Sequence, residues 1–298
     1  MNSSWDASVD CALLVVSCDA YSDLWPPFFN LLREHWSDCP FSVYLGAGER
    51  ELHRPGIVFL GSNGGRDWSR CVLDYLRVLP HSYVLMMLDD FFLRGRVPTS
   101  DVLYCLEFAR NHKAIQLRLL PRPKPTDRLF AEILVGECAA GLQYRLSTQA
   151  AIWNRQKLME LLQPGESIWE FEHNGNQRAV AIGGFYATWR SVLPYEGLFA
   201  HHVIEKGRWL PLERWIFGRR KVGCDFTQRS TMGWGEAVFG YSVGVLDRLL
   251  QVFSWRRRAL IKCQLKRIFS PILRGRFARM SGVPPVTETK QSGPPTAF

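Results

Sequence analysis

None of the eight cysteines stands in a CxxC pair or recurs with zinc-site spacing, so a structural zinc module and a thioredoxin-like redox centre are both excluded. Several of Cys11, Cys18, Cys39, Cys71, Cys105, Cys138, Cys224 and Cys263 lie in apolar strand- or helix-like runs, where a buried free thiol is ordinary. A reducing, cytoplasmic compartment is expected. No stretch reaches 18 apolar residues, which excludes a bilayer-spanning helix, and the polar, acidic start has no basic n-region of a signal peptide. There is no GxSxG elbow, no GKS or GKT phosphate loop, no GxGxxG turn and no internal repeat. Serine-hydrolase, P-loop and simple dinucleotide readings therefore lack their motifs.

What is present is a chain of 298 residues, 47% hydrophobic, long enough for one large domain or two small ones with a sizeable core. Eleven Trp and eighteen Phe exceed what a core alone needs, and some are expected to line a groove. The formal charge of +9 is local. Nine basic residues lie between Arg256 and Arg279 with no acidic residue among them, so the remainder of the chain is near neutral.

The pattern along the chain is strand, helix, strand, strand, helix, strand within the first ninety residues. Apolar runs at 11–18, 41–45, 57–60 and 84–88 are the expected strands. Pro26 and Pro27 open the first helix, since proline is tolerated in a first turn. Asp67 caps the second, which carries Val72, Leu73, Leu76 and Leu79 as an apolar stripe and closes at Pro80. A third helix is expected over 100–111, a strand over 114–120 and a proline-broken loop over 121–125. Residues 179–189 read as a strand with a bend at Gly183-Gly184, and His201 and His202 as the lead into a helix. This order predicts an α/β fold, a Rossmann-like, mostly parallel sheet flanked by helices. The expected division is a catalytic domain over 1–235 (a first half at about 10–120, a second at about 121–235), an amphipathic basic helical extension over 236–280 and a disordered tail over 281–298.

The most informative site signal is Asp89-Asp90 at the end of the apolar run Tyr83–Leu88. Adjacent carboxylates need a counter-charge, a shared proton or a metal, and open α/β sheets bind ligands at the carboxyl ends of their strands. The pair reads as a Mg²⁺ or Mn²⁺ site holding a phosphate-bearing substrate, because such ions keep waters and phosphates in their shell and need only one or two protein carboxylates. The plainer reading is a surface strand end with Asp90 capping a turn. Gly64-Gly65 before the second helix offers backbone amides to an anion, with Arg66 and Arg70 adding charge; it is equally a plain loop. In Trp169-Glu170-Phe171-Glu172 the two carboxylates share a face if the segment is extended and diverge if it is helical. His173, His201 and His202 are further candidates for phosphate or metal, against a packed or solvated role. The basic stretch 245–279 reads as an interfacial anchor on an anionic membrane, as a segment packed on the main domain, or as a nucleic-acid contact. No zinc-finger, RRM-like or helix-turn-helix signature favours nucleic acid.

Five segments in order, Ser17–Trp25, Asp67–Ser69, Tyr83–Phe92, Ile168–Glu172 and Gly207–Trp209, resemble GT-A-fold glycosyltransferases, and more narrowly poorly characterised bacterial enzymes that assemble surface polysaccharides. The resemblance covers roughly residues 10–215. It implies a GT-A-like fold and a divalent metal held at Leu88-Asp89-Asp90, with Asp90 the direct ligand and Asp89 nearer the sugar or ribose. It implies that Ser17 and Asp19 lie near the nucleotide base, with Asn63, Gly65 and Arg70 around the ribose and phosphates. In the inverting branch a carboxylate of the second half deprotonates the acceptor hydroxyl, a role that maps to Glu172 or, second, Glu170. The implied substrates are a nucleoside-diphosphate-sugar and a glycan or lipid-linked glycan acceptor, with the enzyme at the inner face of the cell membrane. The competing readings are a sugar-phosphate nucleotidyltransferase, which lacks its glycine-rich basic loop here, and a non-enzymatic peripheral membrane scaffold.

Overall fold

The computed structural model describes residues 10–129, 132–198, 200–220 and 222–238. The extension expected over 236–280, apart from its first three residues, and the tail over 281–298 lie outside the described residues.

Strand β1 (Cys11–Val16) is buried along its whole length, as its unbroken apolar sequence requires of a strand covered on both faces. A 3-10 turn over Asp19–Leu24 leads into α1 (Trp25–His35), with proline in its first turn as expected. β2 (Ser42–Gly46) and β3 (Ile57–Leu60) follow, then α2 (Trp68–Val78). The α2 cap is Asp67, whose Oδ1 accepts the Arg70 backbone N–H at 2.9 Å. β4 (Tyr83–Leu88), α3 (Thr99–Asn111), β5 (Gln116–Arg118), β6 (Asp127–Arg128), β7 (Val135–Glu137), β8 (Ala151–Asn154), α4 (Arg155–Leu161), α5 (Ile168–Arg178) and β9 (Phe185–Thr188) complete the main sheet and its flanks. A hairpin of β10 (Ile204–Glu205) and β11 (Arg208–Trp209) precedes α6 (Pro211–Arg219).

The sheet order is β3-β2-β1-β4-β8-β5-β9-β7-β6. The β3-β2-β1-β4 half is wholly parallel; the second half is mixed, with β8 antiparallel to both β4 and β5, β9 parallel to β5, and β7 antiparallel to both β9 and β6. Between Arg118 and its register partner Ala151 the chain supplies the far edge of the sheet, where β7 pairs with β9 and β6 with β7. The result is the expected α/β class: a mixed, Rossmann-like, GT-A-like sheet flanked by helices.

One face packs Cys11, Leu13 and Val15 of β1 with Leu85 and Met87 of β4 against α1 and α3. On the other face α2 packs beside α4 and α5, and Phe171 of α5 meets the rings of Trp68 and Trp153 at 5.4 and 6.5 Å. Gly46 of β2 must stay a glycine there: a Cβ would sit 2.5 Å from the Tyr75 ring of α2. Trp36, Trp153 and Trp209 fill the interior, whereas Trp169, Trp215 and Trp234 are exposed.

Three expectations change. The strand expected over 179–189 is confined to Phe185–Thr188, because α5 runs to Arg178 and its exit turn occupies the residues up to Ile182. The strand expected over 114–120 shortens to Gln116–Arg118. His201 and His202 lead into a hairpin rather than a helix: Lys206 and Gly207 have φ of 51° and 74°, the left-handed pair that a two-residue hairpin turn demands.

Candidate active site at the carboxyl edge of β1 and β4

The parallel register pairs Val16 with Leu88, so the residues that follow, Ser17 and Asp89, emerge side by side at the strand ends. Ser17 Oγ donates to Asp89 Oδ2, and Trp25 Nε1 at the start of α1 donates to Ser17 Oγ at 2.6 Å. Asp89 is 5% exposed. Burial first, and then the charge of Asp90, push its carboxyl well above the usual range, with the Ser17 hydroxyl opposing. Asp90 is pushed up to about 6 by burial, against the pull of His202. Its Oδ1 is buried with no hydrogen-bond partner among the described residues. A buried, unpartnered carboxylate oxygen costs free energy unless something positive or donating meets it.

The His201–Glu205 segment closes over this pair. Val203 N–H donates to the Asp90 carbonyl at 3.0 Å. His202 Nε2 lies 2.9 Å from Glu205 Oε2. Burial lowers the His202 pKa, but the Glu205 hydrogen bond and the charge of Asp90 outweigh it and the net direction is up. His201 is half-buried, edge-on to Phe91 at 5.8 Å, and desolvation, then the neighbouring His202, takes its pKa well below the ordinary value. Phe91 stacks on Tyr195 at 4.7 Å.

Arg229 locks the other side. Nε donates to Asp23 Oδ2 at 2.7 Å, Nη2 to Asp23 Oδ1 at 2.6 Å and to the Ala20 carbonyl, and Nη1 to the Gly207 carbonyl at 3.3 Å. Its guanidinium lies 4.3 Å over the Tyr21 ring. Thus the 3-10 turn after β1 is tied to the β10–β11 turn. Asp23, Glu205 and Arg229 were not singled out from sequence; Arg229 stands 206 residues from Asp23, and no local pattern links them.

The remaining expected site residues are spread along the same edge. Asp19 accepts the backbone N–H groups of Gly48, Glu49 and Arg50 at 3.1, 3.0 and 3.2 Å, so its carboxylate holds the loop after β2. Asn63, Gly65, Arg66 and Arg70 are exposed around the loop that starts α2. That loop follows β3, three strands from β4, about 14 Å at ordinary strand spacing. Asp67 Oδ2 also accepts the Gly165 N–H at 2.6 Å, fastening this loop to the turn before α5.

Glu170 and Glu172 are not brought together. The segment is helical, so the shared face that an extended chain would give is lost. Glu170 is the N3 partner of a capping box with Ser167, whose hydroxyl and N–H hold its pKa low. Glu172 Oε1 accepts from Thr148 N at 2.6 Å, Thr148 Oγ1 at 2.8 Å and Ser147 Oγ at 3.1 Å, just before β8. His173 is exposed and lies 3.2 Å from Gln177.

Among the described residues no group of three or more His, Cys, Asp and Glu side chains is placed to hold a metal ion. The seven described cysteines are free thiols, and no described helix is long and apolar enough to cross a membrane.

No protein-family model matches the chain, and no curated protein does. Solved structures resemble it over part of its length. Residues 1–349 of S. aureus TarS are 13% identical with a TM-score of 0.39, over 61% of this chain and 60% of that one. The bifunctional IspDF from Campylobacter jejuni is 12% identical with a TM-score of 0.33, over 56% and 47%. The galactosyltransferase LgtC, solved with donor and acceptor sugar analogs, is 11% identical with a TM-score of 0.35, over 58% and 71%. The chain thus spans less than two thirds of the TarS chain it matches, and likenesses this distant carry no argument about activity.

Proposed function

We propose that this protein is a metal-dependent glycosyltransferase that moves a sugar from a nucleoside-diphosphate-sugar to a hydroxyl of a saccharide or lipid-linked glycan, with inversion, in bacterial surface-polysaccharide synthesis. One observation carries the reading: two adjacent carboxylates, Asp89 buried and Asp90 half-buried, stand at the carboxyl edge of a Rossmann-like sheet, and the buried Asp90 Oδ1 has no hydrogen-bond partner among the described residues. An uncompensated buried oxygen of this kind fits a cation. Mg²⁺ and Mn²⁺ are commonly held by one or two carboxylates with substrate phosphates completing the shell, which suits a site without a third clustered ligand. Asp90 is the direct ligand in this reading and Asp89, fixed by Ser17, its neighbour. When bound, the ion supplies positive charge against the leaving nucleoside diphosphate.

The chain's own groups do the rest. Asn63, Gly65, Arg66 and Arg70 offer polar and cationic contacts to the nucleotide along the edge, while Asp19 positions the loop after β2 rather than touching the base. Glu172 is the base that takes the acceptor hydroxyl proton: it is half-buried and held near the carboxyl edge by Thr148, whereas Glu170 is spent on the helix cap. The basic segment 245–279, beyond the described residues, would hold the enzyme at an anionic membrane on the cytoplasmic side.

Calorimetric titration of UDP, GDP, CDP and dTDP with and without Mn²⁺ tests the reading. At least one should bind markedly tighter with the ion, and Glu172→Gln should lower transfer by roughly 10²–10⁴-fold without weakening that binding. Glu170→Gln should retain transfer. No Mn²⁺-dependent binding of any of the four overturns the assignment. Liposome sedimentation after removal of 256–298 tests the membrane contact separately.

A further inference from the structure

Away from the carboxylate site, arginines from three parts of the chain gather around one groove. It holds about 330 Å³ and is lined by Asn30, Arg33, Glu34, Arg220 and Val222. It therefore joins the second half of α1 to the segment just after α6. Its frame is hydrogen-bonded throughout. Asn30 Nδ2 donates to the Val222 carbonyl at 3.0 Å, and Asn30 Oδ1 accepts from Arg54 Nη2 at 2.8 Å. Arg220 Nη2 donates to Glu34 Oε1 at 2.9 Å and lies 2.9 Å from His35 Nε2. Guanidinium has no acceptor, so His35 must accept through Nε2.

The charges do not balance. Arg33 and Arg220 line the groove and Arg54 bonds its Asn30, while Glu34 is the one carboxylate of the lining and pairs with Arg220; Arg33 makes no ion pair among the described residues. Arg54 is lowered in pKa by burial and then by the charge of Arg33, and His35 by burial with Arg220 adding to it against Glu34. The ordinary explanation is that cations in a last helical turn complement the helix dipole. It accounts for Arg33 in α1. It covers Arg220, the C-cap residue of α6, as well, but not Arg54, which comes from the loop between β2 and β3. Concentrating like charge costs stability, and a planar guanidinium is the side chain best matched to a phosphate.

We propose that this groove is a second binding site, for a phosphate group, carried either by a small solute or by a lipid headgroup. It is distinct from the Asp89–Asp90 site, which lies at the start of α1: Arg33 is eight residues along the helix from Trp25, about 12 Å. The proposal stands whether or not the chain transfers sugars.

The test uses the full chain, metal-free, with inorganic phosphate by calorimetry and with phosphatidylcholine vesicles with and without phosphatidic acid by sedimentation. Arg33→Gln/Arg220→Gln is compared with a charge-matched control, Arg77→Gln/Lys157→Gln, at exposed positions elsewhere. Wild type and control are expected to bind at least one probe, and the groove variant to bind it at least tenfold more weakly with Mn²⁺-dependent nucleotide binding unchanged. Loss for phosphate alone identifies a small solute; loss for acidic vesicles identifies the headgroup. If the double variant does not fold, Arg33→Gln alone, which breaks no ion pair, should weaken binding at least threefold. Equal binding by the groove variant and the control, or no binding of either probe by wild type, overturns the proposal.

Discussion

Ser17 and Asp89, 72 residues apart, share one hydrogen bond at the ends of neighbouring parallel strands, and Trp25 Nε1 donates to the same serine hydroxyl. The serine thus receives one proton and gives another, which fixes the rotamer of Asp89. Ser17→Ala leaves the indole N–H and a buried carboxylate oxygen without their partner. The expected cost is about 1–3 kcal/mol by chemical denaturation. Nucleotide affinity in Mn²⁺ should fall as well, because Asp89 is free to turn; a variant of unchanged stability and affinity would show the triad to be incidental.

Asp90→Asn should separate stability from activity. The wild-type carboxylate is half-buried, repelled by Asp89 and, among the described residues, unpartnered at its buried Oδ1. Removing its charge relieves that repulsion, so the metal-free variant should melt at the same temperature as wild type or higher at pH 7. Mn²⁺-dependent nucleotide binding and transfer should be lost. Groups that bind charge in a substrate complex are commonly destabilising without it. A fully active Asp90→Asn enzyme would remove this residue from the site.

Arg229 and Asp23 are a nearly buried pair, 10% and 8% exposed. Arg229→Met strands the Asp23 carboxylate and cuts the ties to Ala20 and Gly207, and should cost about 3–5 kcal/mol. The double variant Asp23→Leu/Arg229→Met should recover part of that loss, because no lone charge is left buried. Equal destabilisation of the single and double variants would mean that the carbonyl contacts, not the ion pair, carry the energy.

Glu166 gives the pH dependence. Both its oxygens accept from Arg178 at 2.7 Å and Oε1 also from Asn174 at 2.9 Å, so Arg178 chiefly holds its pKa below the ordinary 4.5. A carboxyl depressed on folding stabilises the native state above its unfolded pKa, and the benefit is lost as pH falls through the folded value. Glu166→Gln should therefore be about 1.5–3 kcal/mol less stable than wild type at pH 7, with the gap closing below about pH 4.5. A gap that is constant from pH 7 to pH 3 would assign the effect to packing.

Much of the fold was legible because it is local. Unbroken apolar runs in β1 and β4 announced central strands, Pro26 and Asp67 announced two helix starts, and Asp89-Asp90 marked the carboxyl end of β4, where the candidate site is proposed. One local signal was passed over. Ser167-x-x-Glu170 spells a capping box, and it decided that the Trp169–Glu172 segment is helical and its glutamates diverge. Likewise Lys206-Gly207 marked a hairpin after the two histidines.

What the tertiary structure alone decided is who meets whom. Ser17 beside Asp89, Arg229 on Asp23, His202 facing Asp90 and Asp19 turned to the loop after β2 all depend on strand register and on loops that return over distances of 29 to 206 residues. Periodicity and capping report the conformation of a few neighbouring residues. Long-range pairing is fixed by which buried faces fit together, and a charge finds its partner only after that packing is made.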